Sequence, residues 1–473
     1  MSFIFYDIGL LIAFAIFVSI FLYRGKQNIK KEGWLLLYKT SWGIKLIDYI
    51  GNKYKRTLKF FSYVSIGIGY CLMATMIYFF YTIIKIYLFR PDVVSAVKVP
   101  PIMPLIPYLP QMFHLNFLPP FYFFYWIVIL AVIAITHEFA HGIFAAYNKV
   151  RIKKTGFGFF PFFLPVFLAA FVELDEEQMA KKSKFGQLAV LSAGTFANVI
   201  TAIIGFATLW LFFSMAFAPA GVVFDTYPYA VVGVGDISMV NGIPLDNPSY
   251  SEAMALMNGG LNEIGVSGFY FVAETDFLKG QNSEEYMMLF YDSPALRNNL
   301  EGAILSIDGV AMTGIESLKY ELEQKSPGDV VEIITFDGEK NLEYQIELTE
   351  HPGEEGYAWL GVGFSDKTRT GIAGKLYMLM ASFKDSNVYY QSKIGNVGLF
   401  IYNLLWWVVL ISVSVALVNM LPVGIFDGGR FFYLTIWGIT GKEKFAKKVF
   451  GFMTYLFLFL LLVLMVFWAL SFF

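Results

Sequence analysis

Apolar residues in this chain come in long unbroken runs rather than at the spacing of an amphipathic surface helix. Six runs approach or exceed the ~20 residues that cross a hydrocarbon layer as a helix. They cover about 5–23, 60–89, 121–147, 188–217, 399–419 and 449–473. Between the fourth and fifth the pattern changes. Residues 302–310, 330–336 and 344–348 alternate as strands do, with turn signals at Asp308-Gly309, Pro327-Gly328 and Asp337-Gly338 and a helical stretch over 316–324. The expected fold class is therefore a polytopic α-helical membrane protein of about six transmembrane helices with an inserted α+β soluble domain.

Composition agrees, with 57% hydrophobic and only 15% charged residues, which excludes an ordinary soluble domain. The net charge of −2 says little about partners, because the charges are segregated along the chain. Nothing calls for a nucleic-acid partner. The single cysteine, Cys71, lies in an apolar run and excludes both an internal disulfide and a cysteine zinc site. The first run reads as a retained helix and not a signal peptide, since no basic region precedes it and no small-residue cleavage site follows.

Basic residues cluster in three places: between Arg24 and Lys59, between Arg151 and Lys184, and between Arg430 and Lys448. The positive-inside rule assigns all three to the cytoplasm. The segment 219–366 then falls outside. It is strongly acidic, its basic residues being Lys279, Arg297, Lys319, Lys325 and Lys340.

The chemistry is concentrated in the third run. His137, Glu138 and His141, with two of the chain's four histidines, spell H-E-x-x-H inside an apolar helix. An ionisable group at the bilayer centre costs at least ~2.5 kcal/mol, so such a cluster implies function. Histidines four apart share a helix face and can hold one Zn²⁺, and the intervening glutamate can take a proton from water. A third ligand is needed. Asp427 follows the fifth run directly, in a stretch broken by Pro422 and Gly424, on the side towards which the third run carries its histidines. Read alone it is a helix-capping aspartate; beside H-E-x-x-H it becomes the candidate ligand. A secondary transporter also places carboxylates and histidines in spans, but the spans show no internal repeat. A catalytically dead scaffold is disfavoured by the presence of all four groups.

The chain resembles the site-2 protease family of intramembrane zinc metalloproteases. The matching pieces are His137-Glu138-Phe139-Ala140-His141 and the N-x-x-P-x-x-x-x-D-G element from Asn419 to Gly428. Gly156-Phe157-Gly158 with 170–173 is similar to the family's membrane-entering β loop. Residues 192–198 are similar to its A-G-P-x-x-N helix start, with Thr195 in place of proline. The resemblance implies zinc held by His137, His141 and Asp427, Glu138 as general base, and Asn419 holding substrate or polarising the scissile carbonyl. It implies substrate contacts at Asn198, Gly156, Gly158 and Phe171, with 156–172 as an edge strand for an unwound substrate. It also implies a PDZ-like domain over 293–364, with Gly361 at its binding site and a degenerate second copy hinted at around 237–245. The implied partners are transmembrane protein substrates, the lipid bilayer and peptide C-termini. The expected divisions are 1–118 (first helices and basic loop), 119–218 (catalytic core, first part), 219–366 (extracytoplasmic PDZ-like domain with an N-terminal extension) and 367–473 (catalytic core, second part). The active site would face the cytoplasmic side.

Overall fold

The computed structural model describes residues 3–32, 35–91, 93–94, 100–113, 115, 118–159, 168–281, 283–364, 374, 378 and 382–470. Among these, six helices are long and apolar enough to cross a membrane: α1 (Phe3–Arg24), α2 (Lys55–Phe89), α3 (Phe123–Tyr147), α4 (Lys184–Ala216), α5 (Asn396–Asn419) and α6 (Glu443–Leu470). The chain divides into two compact units, Met1–Phe212 with Phe400–Phe473, and Phe213–Leu399.

In the first unit, α3 is fixed at both ends by contacts distant in sequence. The first N–H groups of a helix have no partner within it, and hydrocarbon offers none. Asp7 of α1 is buried and supplies them: its carboxylate accepts from Phe123 N (2.7 Å), Phe124 N (3.0 Å) and the Tyr108 hydroxyl (2.6 Å). Aromatic packing joins α3 to α5, where Phe121, Tyr125 and Trp126 form one cluster with Trp407, and the Trp407 Nε1–H donates to the Pro120 carbonyl. Elsewhere the helices approach through small residues, as packing without a hydrophobic driving force favours. A Cβ at Gly51, in the helix Ile44–Lys53, would lie 2.6 Å from Ala146 Cβ and 2.9 Å from the Ile143 carbonyl of α3. Ser192 of α4 donates to Ser65 of α2 at 3.1 Å.

A four-stranded antiparallel sheet, in the order β1 (Ile29–Glu32), β2 (Leu35–Thr40), β3 (Ile152–Phe159), β4 (Leu168–Leu174), belongs to the same unit. Gly156 faces Phe171 and Gly158 faces Ala169 across β3 and β4, and β4 is an outer strand. The tip of the expected loop, 160–167, lies outside the described residues. Two features of this unit depart from the sequence reading. The basic stretch 24–59, taken as a loop, contains β1, β2 and the helix Ile44–Lys53; β2 pairs with a strand more than a hundred residues later, which no local pattern reveals. The 192–198 motif is not a helix start, because α4 begins at Lys184. With no proline to break it the helix runs through, and the Thr195 hydroxyl donates back to the Ser192 carbonyl.

The second unit holds two six-stranded sheets. One runs β6 (Tyr229–Gly233), β11 (Tyr286–Tyr291), β10 (Phe269–Glu274), β9 (Leu261–Val266), β7 (Ile237–Val240), β8 (Ile243–Pro244). The other runs β15 (Asn341–Glu347), β14 (Val330–Phe336), β12 (Ala303–Ile307), β5 (Phe217–Val222), β16 (Val388–Ser392), with β13 (Val310–Ala311) on β12. Each has its own core, around Ile237, Val240 and Ile264 in the first and Ile304, Ile307 and Ile333 in the second. They share one chain order: strand, tight turn, strand, helix, strand, strand. Asn241-Gly242 and Asp308-Gly309 form the turns with positive φ at both residues, as two-residue hairpins require. Both β7–β9 and β12–β14 carry a register shift at the same point, between Ile237 and Met239 and between Ile304 and Ser306. The segment that exceeded the sequence pattern is thus a second sheet, inserted between β5 and β12, which pair with each other.

Candidate metal centre

His137 and His141 lie one turn apart on α3, both buried. The chain leaves α5 at Asn419, makes a tight turn through the buried Met420, Leu421 and Val423, and starts the helix Asp427–Thr440. Gly428 and Gly429 let that helix press backbone to backbone on the turn. A Cβ on Gly428 would lie 2.4 Å from Met420 C, and one on Gly429 2.3 Å from Val423 O. Asp427 is thereby delivered to the histidines. Its Oδ2 lies 3.2 Å from each Nε2, and the two Nε2 atoms are 3.0 Å apart.

The outer ring nitrogens decide what this means. His141 Nδ1 is 2.7 Å from the Val190 carbonyl, an acceptor only, so Nδ1 carries the proton and neutral His141 presents a bare Nε2. The Asn198 amide is wholly buried, with its Nδ2 3.0 Å from His137 Nδ1 and its Oδ1 without a partner among the described residues. Turning the amide over exchanges its two ends and gives the orphaned Oδ1 a partner in the Nδ1 proton, so that this proton too is held on the outer side and His137 Nε2 is bare. Two lone pairs and a carboxylate oxygen then converge on one point in an apolar core, which only a cation reconciles. Ligands ~2.0–2.1 Å from a tetrahedral Zn²⁺ stand about 3.3 Å apart, close to the spacing here. The residues fit zinc.

Room for the ion comes from α4. A Cβ on Gly194 would lie 2.4 Å from His141 Nε2 and 2.5 Å from His137 Nε2. Gly194 lies within the 192–198 motif, and its only mark in the sequence is that it is a glycine inside an apolar run. Glu138 is not in the cluster. It is half-buried, and its Oε2 accepts from Val172 N of β4 at 2.9 Å.

The other expected residues are dispersed. Gly156 and Phe171 share the wall of a cavity beside Glu138, with the Phe171 ring over Gly156, whereas Gly158 does not line it. Asn198 sits behind His137, where it orients the imidazole; its side chain is sealed from any substrate. Asn419 ends α5 half-buried and makes no side-chain hydrogen bond among the described residues. Glu173, a carboxylate on β4, is paired with Lys39 at 2.8 Å. Gly361 belongs to the second unit, with φ +79°, beside a groove of about 520 Å³ between the helix Ile315–Glu323 and the strand Glu354–Trp359.

The model of peptidase family M50 matches residues 125–464, a stretch that contains His137, Glu138, His141, Asn198 and Asp427. No curated protein matches the chain closely enough to count as a relative.

Gly194→Ala puts a methyl group where the ion must sit. Zinc per mole of purified protein, measured by mass spectrometry, should fall at least tenfold while the thermal transition in detergent stays within a few degrees. Full zinc occupancy in this variant would show that the cation lies elsewhere.

Proposed function

The chain belongs to peptidase family M50, the site-2 protease family, and from that premise we propose that it hydrolyses peptide bonds within or next to transmembrane helices of other membrane proteins. Its class is membrane metalloprotease. The observation that carries the finer reading is the placing of His137, Glu138 and His141 on a helix apolar enough to span a bilayer, with Asp427 brought to them by the turn that follows a second such helix. A hydrolase for soluble peptides has no need to bury these groups there.

Zinc, when bound, supplies Lewis acidity that polarises the scissile carbonyl and acidifies water. Everything else is done by the chain. Asn198 and the Val190 carbonyl hold both imidazoles with Nε2 inward. Glu138 Oε1 or Oε2 takes the proton from the attacking water and gives it to the departing amide nitrogen. Val172 N–H keeps the glutamate from swinging into the ligand position. A transmembrane helix hides its carbonyls in internal hydrogen bonds, so the substrate must unwind, and its freed backbone needs a partner. The outer edge of β4 offers one, by strand addition directly beside Glu138. Asn419 is assigned to substrate at the start of the turn that bears Asp427.

Glu138→Gln removes the proton acceptor without removing a ligand. Hydrolysis of a transmembrane substrate should drop by about 10²–10⁴ with zinc retained, whereas His137→Ala should lose zinc as well. Normal turnover by the Glu138 variant would overturn the protease reading.

The three basic clusters support an orientation with the second unit outside and the active site towards the cytoplasm. After replacement of the exposed Cys71, a cysteine at Gly338 should react with an impermeant thiol reagent on intact cells, and one at Lys182 should not. The reverse labelling would invert this orientation.

A further inference from the structure

The Glu138 carboxylate forms part of the wall of a small cavity of about 20 Å³, completed by Thr40, Trp42, Phe139, Phe157 and Phe171. Apart from Glu138 its walls offer little for a polar ligand. The Thr155 hydroxyl, also on the wall, donates to the Trp42 carbonyl at 2.6 Å, and the Thr40 hydroxyl accepts from Trp42 N at 3.2 Å. The size is held by tight contacts. Trp42 meets Phe139 edge-on with ring centres 6.1 Å apart, and a Cβ on Gly43 would lie 2.7 Å from Phe139 Cζ. Ala170, Phe171 and Val172 of β4 close the side next to the outer strand edge.

A peptide added to that edge projects successive side chains to opposite faces of the sheet. One side chain flanking the bond next to Glu138 is then directed at this cavity. A single water-sized group needs roughly 10–15 Å³ of such space, so about 20 Å³ admits a methyl or hydroxymethyl group but not a branched or aromatic side chain. We infer that the cavity is the specificity subsite for a substrate residue at the scissile bond, that it selects glycine, alanine or serine, and that Trp42 sets its size. The inference rests on the reading of the chain as a protease of transmembrane segments. Thr40 and Trp42 come from β2 and the turn after it, before the stretch that matches the family at residue 125. The part of the wall that Trp42 supplies therefore lies before the stretch shared with the family.

Trp42 is 64% exposed, so truncating it opens the wall without leaving a void in the core. The test uses the full zinc-loaded chain in detergent and a set of transmembrane peptides. The residue on either side of the cut, located by mass spectrometry, is Ala, Leu or Phe in turn. The wild-type chain should favour Ala over Leu on one side by about tenfold or more in kcat/KM, since overfilling a packed site costs at least that. Trp42→Ala, and Trp42→Leu as the milder change, should lower that ratio about fivefold or more with zinc content unaltered. An unchanged ratio in both variants, with cleavage intact, would overturn the subsite. Failure of the zinc-loaded wild type to cut any of the peptides would instead overturn the protease reading beneath it.

Discussion

The structure depends on one constraint: two imidazole lone pairs and a carboxylate oxygen are aimed at a single point inside an apolar helix bundle. Without a cation the arrangement is repulsive, and the apolar helices around it supply no compensating charge. Each neighbouring group that touches the three ligands has a role in holding it. The Val190 carbonyl, and the Asn198 amide once its Oδ1 is turned to His137, keep protons on the outer ring nitrogens, and Gly194 keeps α4 from filling the space. Removing any of these alters the geometry at the centre without touching a ligand.

The same constraint explains the packing of the helices. His137 and Asp427 are 290 residues apart, so only tertiary contacts can bring them to 3.2 Å. The aromatic cluster between α3 and α5 sets the helices side by side, and Gly428 and Gly429 allow the turn after α5 to fold back onto itself. Asp7 completes the other end of α3 by accepting from its first N–H groups. A buried carboxylate that caps a helix from a different span is structural here, and it shows that an acidic residue in a membrane helix need not be catalytic.

Much of this was legible in the sequence because hydrocarbon makes polar residues conspicuous. The six apolar runs stand out by length, and His137, Glu138, His141 and Asp427 stand out as ionisable groups where few are tolerated. What was not legible is what depends on distant pairing or on the absence of atoms. β2 is an unremarkable Leu-Leu-Leu-Tyr-Lys-Thr until β3 lies beside it. Gly194 carries no chemistry of its own and acts only by the space it leaves. The sheet formed by 229–291 gave a faint trace in Ile237 to Leu245, whose turn and bulge match those of β12 and β13 only once the registers are seen.

The zinc site proposed here stands on Asp427 as the third ligand beside His137 and His141. Its most direct test is the zinc content of purified Asp427→Asn. Asparagine can still begin the helix Asp427–Thr440 but is neutral and a much poorer ligand for zinc. Bound zinc should fall from one per chain to a small fraction, with thermal stability of the zinc-free proteins nearly equal. A variant that keeps one zinc per chain, at wild-type affinity, would contradict it.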